Sequence, residues 1–305
     1  MTERILVIKL AALGDFVQAF GPFAAIRAHH PRARITLLTT PPYAPLAQRS
    51  PWFDEVWAEG RPAGGDLHGL FTLARRLRGG RFDRVYDLQT SSRSSRYRLL
   101  VGRRAEWSGI AGGASHPHAN PDRNAMHTVE RQRDQLRMAG ITEFPEPDLA
   151  WLDGDLSGFA LPPRYALLIP GASPQRPGKR WPHFPALAAA MGMPSVVIGG
   201  PAEAPLAQAI ASAAPESVDL TGRTDLPQLA ALARRAVLAV GNDTGPTHVA
   251  AATGCPTLAV FGPESDPALC APRGARSDFL RCDPIGALTP AAVAEAARRL
   301  AGLPA

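Results

Sequence analysis

Three stretches of this 305-residue chain combine residue types and spacings that can do chemistry. In the run from Val240 to Gly254 (VGNDTGPTHVAAATG), a strand gives way to a short polar turn, Pro246 suits the first helical position and Gly254 the exit. The helix would aim free N–H groups and its positive dipole end outward, a seat for a pyrophosphate. Thr244, Gly245 and Thr247 add small donors, and His248 lies one turn in. The same pattern also describes an ordinary helix start in which Asp243 or Thr244 only caps the first turn. The second stretch is Pro170 to Ser173 (PGAS) followed by Lys179-Arg180-Trp181-Pro182. A departing diphosphate gains negative charge, which a positioned ammonium stabilises without a metal; the competing reading is a solvent-facing Lys-Arg pair. Of the 33 Lys and Arg residues only Lys9 and Lys179 are lysine, which favours a specific use for Lys179. The third is Lys9 to Asp15 (KLAALGD), where Asp15 either takes a proton from an incoming hydroxyl or caps a helix starting at Phe16. Glu203, after Gly199-Gly200-Pro201-Ala202, either accepts hydrogen bonds from a ribose or complements its own helix dipole.

The elements that must position these residues alternate. Apolar branched runs at Arg4 to Leu10, Arg34 to Thr40, Phe53 to Trp57 and Arg84 to Leu88 read as strands, with helical spacing from Phe16 to His29 and Leu67 to Leu77 between them. Glu143 to Pro163 dissolves into Phe-Pro-Glu-Pro and Leu-Pro-Pro, an interdomain linker. A second series follows, with strands at Tyr165, Ser195, Val237 and Thr257 and a terminal helix from Pro290 to Leu300. The expected architecture is α/β, with Rossmann-like parallel-sheet domains at 1–155 and 156–305 and a ligand in a cleft at the strands' carboxyl ends. The terminal helix is expected to be free to pack back on the N-terminal domain.

Composition narrows the function classes. At 45% hydrophobic and 20% charged the chain is neither disordered nor fibrous. Cys255, Cys270 and Cys282 form no C-x-x-C pair, which points to a reducing, cytoplasmic setting. Met1 to Leu10 is too short and too soon interrupted by Lys9 and Asp15 to read as a signal peptide, and no run is expected to span a bilayer. The net charge of +6 suits anionic partners, but no aromatic-basic interleaving supports nucleic acid. G-x-G-x-x-G after the first strand, Walker A and G-x-S-x-G are all absent. Asp153-Gly154-Asp155 lies in the linker and is set aside as a metal pair. Arg93 to Arg104 holds five arginines in twelve residues, either a grip for an anionic sugar or phosphorylated lipid head group or a solvated helix face.

In order and spacing, Ile5 to Asp15, Gly171 to Pro182, Gly199 to Glu203 and Asn242 to Pro267 resemble glycosyltransferase family 9, the lipopolysaccharide heptosyltransferases of GT-B fold. The resemblance implies inverting, metal- and cofactor-independent transfer of a sugar, heptose from ADP-heptose, onto a lipopolysaccharide core or related envelope glycan. The donor would sit on the C-terminal domain and an anionic glycolipid acceptor on the N-terminal one, with the protein cytoplasmic and peripheral to the inner membrane. By the same resemblance Asp15 is the base and Lys179 neutralises the departing phosphate. Asp243, Thr244, Gly245 and His248 line the diphosphate and sugar, Glu203 holds the ribose, and Ser173, Arg180 and Pro246 complete the donor set. Lys9, Arg93 and Arg96 contact the acceptor. The chain departs from the family in being short, in Phe16 where a smaller aliphatic residue is usual, and across Ser108 to Asn124. The alternatives are a nucleotide-sugar epimerase of similar fold, which needs no acceptor, and a non-catalytic envelope-assembly protein.

Overall fold

Four consecutive buried residues, Ile5 to Ile8, leave Arg4–Ile8 no face to show to water, which suits a strand covered on both sides. The computed structural model, describing residues 2–63 and 65–304, places it at the centre of a six-stranded sheet. The first series runs β1 (Arg4–Ile8), α1 (Leu13–Val17), α2 (Phe20–His29), β2 (Arg34–Leu38), α3 (Ala44–Arg49), β3 (Glu55–Trp57), α4 (Leu67–Gly79), β4 (Arg84–Asp87), α5 (Ser92–Val101), β5 (Glu106–Gly109), β6 (His116–Pro117) and α6 (Thr128–Met138). The second runs β7 (Ala166–Ile169), α7 (Phe184–Ala190), β8 (Ser195–Val197), α8 (Ala204–Ala213), β9 (Val218–Asp219), α9 (Leu226–Arg235), β10 (Leu238–Asn242), α10 (Gly245–Ala252), β11 (Thr257–Phe261), α11 (Pro267–Cys270), β12 (Ser277–Arg281) and α12 (Pro290–Ala301).

The sheets are ordered β3-β2-β1-β4-β5-β6 and β12-β11-β10-β7-β8-β9. Counted from its own first strand, each has the doubly wound order 3-2-1-4-5-6. All neighbouring strands pair in parallel. Ile8 stands opposite Leu38 on one side and Asp87 on the other, so β1, β2 and β4 finish level and their following loops start together.

The chain divides into two compact units, one ending at Trp151 and the other beginning at Leu152. The division falls just before the expected break after Asp155, for a local reason. Trp151 packs edge-on against Phe20 and Trp52, with ring centroids 5.8 and 5.4 Å apart. Leu152 is fully buried, its carbonyl accepts from Arg234 Nη1 at 2.5 Å, and Gln228 Nε2 donates to Asp155 O at 3.1 Å. Residues 152–155 are thereby tied to α9.

One expectation is corrected. The helix expected from Phe16 to His29 is two helices. Pro22 has no N–H to bond back to Gln18, so the ladder cannot run through and Pro22 sits in the first turn of α2. Phe16 packs against Phe20, Phe23 and Tyr43 at centroid distances of 6.2, 5.4 and 5.5 Å, which accounts for a large ring where small residues are usual. In the second unit Val293, Ala294 and Ala297 of α12 join Leu187, Val240 and Val260 in one core. Val293→Asp would bury an unpaired carboxylate there and should cost at least about 3 kcal/mol, read as a lowered denaturant midpoint.

Candidate active site

In each sheet the strand order reverses between the two central strands, β1 and β4 in the first, β7 and β10 in the second. The crossovers then leave on opposite faces and open a crevice beyond the carboxyl ends. Most of the candidate residues lie on the loops at these two points.

In the second unit, β10 ends at Gly241-Asn242. A Cβ on Gly241 would stand 2.3 Å from Thr247 Oγ1 and 2.9 Å from Ile169 Cβ, so only glycine lets α10 turn back this closely. Asn242 is fully buried. Its amide donates to Pro170 O at 2.8 Å and Gly171 O at 3.1 Å, and its Oδ1 accepts from Trp181 N at 3.1 Å. One neutral side chain thus staples the end of β10 to both ends of the loop carrying Lys179. Glu264 holds the same loop through its Oε1, which accepts from Gly178 N at 2.9 Å.

The staple brings Lys179 Nζ to 2.5 Å from Asp243 Oδ2, while His248 Nε2 lies 3.6 Å from Asp243 Oδ1. The Asp243 side chain is 5% exposed and that of Lys179 16%. Burial alone would raise the Asp243 carboxyl, but hydrogen bonding to His248 and Lys179 and the lysine charge overcome it and hold it at about 2. Asp243 is therefore an ionised partner of Lys179. Thr244 occupies the cap position without a side-chain capping bond, so neither residue is the ordinary cap of the alternative reading.

Three details differ from expectation. Gly245, not Pro246, opens α10. Thr247 is fully buried and its hydroxyl donates to Asn242 O at 2.6 Å, a structural bond rather than a ligand donor. Thr247 N bonds to Thr244 O at 3.1 Å and Pro246 has no N–H, leaving the amides of Thr244 and Gly245 at the tip. Glu203 lies over the turns after β7 and β8: a Cβ on Gly199 would be 2.8 Å from its Cβ, and one on Gly171 3.0 Å from its Cγ. Ser173, exposed, donates to Gln175 Oε1 at 2.6 Å, and Arg180 is exposed.

In the first unit Asp15 is the third residue of α1, half-buried, its Oδ2 accepting from Ala12 N at 3.3 Å. It therefore braces a helix from within instead of capping one that begins at Phe16. Lys9 is 4% exposed, with its ammonium turned onto Leu88 O at 3.3 Å. Burial lowers its pKa, the charges of Asp15 and Asp87 oppose that, and Arg131 of α6 adds to it. Asp87 is fully buried and its carboxyl is pushed up to about 7 by desolvation, against hydrogen bonds and the Lys9 charge. Gln135 of α6 donates to Asp87 O at 3.1 Å and Ser108 Oγ at 3.2 Å, joining α6 to the ends of β4 and β5. Arg93 and Arg96 are exposed on α5, with Arg93 donating to Pro62 O at 3.4 Å. The guanidinium whose field reaches Lys9 is that of Arg131. Sequence reasoning missed Arg131 and Gln135, because α6 carries few apolar residues to mark its period, and Asn242 and Gln89, whose uncharged amides announce no chemistry.

Among the described residues no three His, Cys, Asp or Glu side chains group as a metal ion would require. Asp153 lies 3.6 Å from Arg234, and Asp155 accepts from Ser157 N and Oγ, both at 2.8 Å.

Residues 70–283 match the family model described as glycosyltransferase family 9 (heptosyltransferase). The chain is 29% identical to lipopolysaccharide heptosyltransferase 2 of Escherichia coli strain K12 over 297 residues, covering 86% of this chain and 83% of that protein. Among solved structures it is similar to a glycosyl transferase family 9 protein from Veillonella parvula (TM-score 0.83, 23% identity, 98% and 97% of the two chains covered). It is likewise similar to the ADP-heptose lipopolysaccharide heptosyltransferase II of E. coli (TM-score 0.75, 24% identity, 98% of each chain). The fold is that of GT-B enzymes, with two Rossmann-like units.

Asp243, held at about 2 where a free aspartate titrates near 3.8, contributes stability that is complete above about pH 4 and drains as pH falls toward 2. Denaturant titrations between pH 2 and 5 should lose that acid limb in Asp243→Asn. Lys179→Ala strands a buried carboxylate and should cost roughly 3 kcal/mol at neutral pH.

Proposed function

The chain belongs to glycosyltransferase family 9, the heptosyltransferases, and we propose that it transfers heptose from ADP-heptose to a lipopolysaccharide core or related envelope glycan. The chain is an enzyme of the glycosyl-transferring class. Its alternatives, an epimerase or a protein without turnover, are not favoured by a match to a transferase family over most of its length. The observation that carries the reading is the Lys179–Asp243–His248 cluster at the strand-order reversal of the second sheet, where a nucleotide is expected in an open α/β sheet.

The proposed reaction is a single displacement. Asp15 takes the proton of the acceptor hydroxyl, and that oxygen attacks the anomeric carbon opposite the diphosphate. The bond from this carbon to the diphosphate oxygen then breaks with inversion, and the electron pair leaves on the diphosphate. An ammonium has three N–H donors. Asp243 engages one on Lys179, and the others serve the departing phosphate, a compact charge that stabilises the leaving group without a metal or other cofactor. Thr244 and Gly245 offer amides to the diphosphate, His248 borders the sugar, and Glu203 accepts from the ribose. Pro246 shapes the turn, and Ser173 and Arg180 complete the donor side. In the first unit the buried Lys9 is electrostatically paired with Asp15, and Arg93 and Arg96 are the exposed cations for an anionic acceptor. Such an acceptor would bring the protein to the inner membrane surface as a peripheral protein; among the described residues no helix is long and apolar enough to cross a membrane.

Asp15→Asn should reduce transfer by about 10²–10⁴-fold, the worth of a general base, with ADP affinity within about twofold of wild type; near-wild-type turnover would overturn the base assignment. Lys179→Ala should weaken ADP binding at least about tenfold by calorimetry, and unchanged affinity would remove its role. In a thermal-shift panel of ADP, GDP, UDP and CDP, ADP should raise Tm most. A preference for UDP or GDP would redirect the donor assignment.

A further inference from the structure

We propose that Gln89 is a positioning residue for the Asp15 carboxylate, a role that rests on Asp15 being the base. β1 and β4 are paired up to Ile8 and Asp87, and beyond them the two chains part. The amides of Leu10 and Ala11 then point into the crevice with no strand to receive them, and a buried or half-buried amide without an acceptor is costly. Gln89 receives both: its Oε1 accepts from Leu10 N at 2.8 Å and from Ala11 N at 3.2 Å. The next amide, Ala12 N, donates to Asp15 Oδ2 at 3.3 Å. Three successive N–H groups are therefore consumed by two side chains in relay. The Asp15 carboxylate is oriented by Ala12 N, and the segment holding Ala12 is fixed by Gln89.

Both partners of this relay are anchored elsewhere. From the β2 side, Thr40 Oγ1 donates to Leu10 O at 2.8 Å, so Leu10 is gripped through both its backbone polar groups. Gln89 sits between two fixed points. Lys9 Nζ donates to Leu88 O at 3.3 Å, and Thr90 N donates to Asp87 Oδ1 at 3.1 Å. Thr90 takes φ +45, a left-handed backbone that a β-branched residue rarely adopts; it turns the chain sharply just after Gln89. The amide oxygen has two lone pairs, one for each N–H, and glutamine supplies them without a second charge beside Asp15. An enzyme that must hold a base within a fraction of an ångström of an incoming hydroxyl gains from such a clamp.

The test is a steady-state series on the full chain with its sugar donor and acceptor. Gln89→Met keeps the bulk and removes the acceptor; kcat should fall ten- to a hundredfold with donor KM and ADP affinity little changed, and Tm should drop as two amides lose their acceptor. Gln89→Glu restores an oxygen for both amides and should recover part of the kcat and Tm loss at the cost of a second charge beside Asp15, a recovery a purely space-filling role would not produce. In an Asp15→Asn background Gln89→Met should have no further effect, because both act through one carboxylate. Should Gln89→Met fail to fold, Gln89→Asn, whose amide falls one methylene short, supplies the same kcat reading. Wild-type kcat in Gln89→Met, or equal kcat in the Met and Glu variants, overturns the proposal while leaving Asp15 as base. Full transfer by Asp15→Asn overturns the base reading, and this role with it.

Discussion

A parallel strand that ends beside a neighbour whose chain leaves on the opposite face exposes main-chain polar groups to a crevice, and something must receive them. Both units meet this constraint at their strand-order reversals with a primary amide side chain. In the second, Asn242 gathers Pro170, Gly171 and Trp181; in the first, Gln89 gathers Leu10 and Ala11. The charged residues stand on what these amides hold. Lys179 lies on the loop that Asn242 closes, and Asp15 follows the segment that Gln89 fastens. Both amides are neutral, so the strand ends are ordered without adding a charge beside Lys179 or Asp15.

The two charged centres are built differently. Asp243 is ionised because hydrogen bonds and an adjacent ammonium outweigh its burial, and its partner is held by the same network. Lys9 and Asp87 are both buried: Lys9 spends a hydrogen bond on a carbonyl, and Asp87 one on the Thr90 amide. Desolvation therefore dominates both, lowering the lysine and raising the aspartate. Asp15 is half-buried and tied to one amide.

Much of this was legible in the sequence. Buried parallel strands read as short branched runs, so β1, β2, β4, β7, β8, β10 and β11 stand out, and with them the alternation that defines the fold. The scarcity of lysine directed attention to Lys179 and Lys9, both of which proved to be buried or nearly so. The edges were less readable. β6 and β9 have two residues each, and β12 shows mostly exposed positions, so none carries a hydrophobic signal. Thr247 was misread because helical spacing gives no indication of which hydroxyl a strand end will take. Gln89 and Asn242 were passed over because their partners lie 79 and 78 residues away, or 72, 71 and 61: Leu10 and Ala11 for the first, Pro170, Gly171 and Trp181 for the second. Only strand adjacency, a property of the folded chain, brings them together.

The buried carboxyl of Asp87 has a consequence for the molecule as a whole. With its folded value near 7 and its unfolded one near 3.8, the first unit takes up a proton on folding across that interval. Its contribution is complete only below about pH 4 and is lost as pH rises toward 7, whereas that of Asp243 is lost as pH falls from about 4 toward 2. These two buried carboxyls thus pull the folding equilibrium in opposite senses as the solution is acidified.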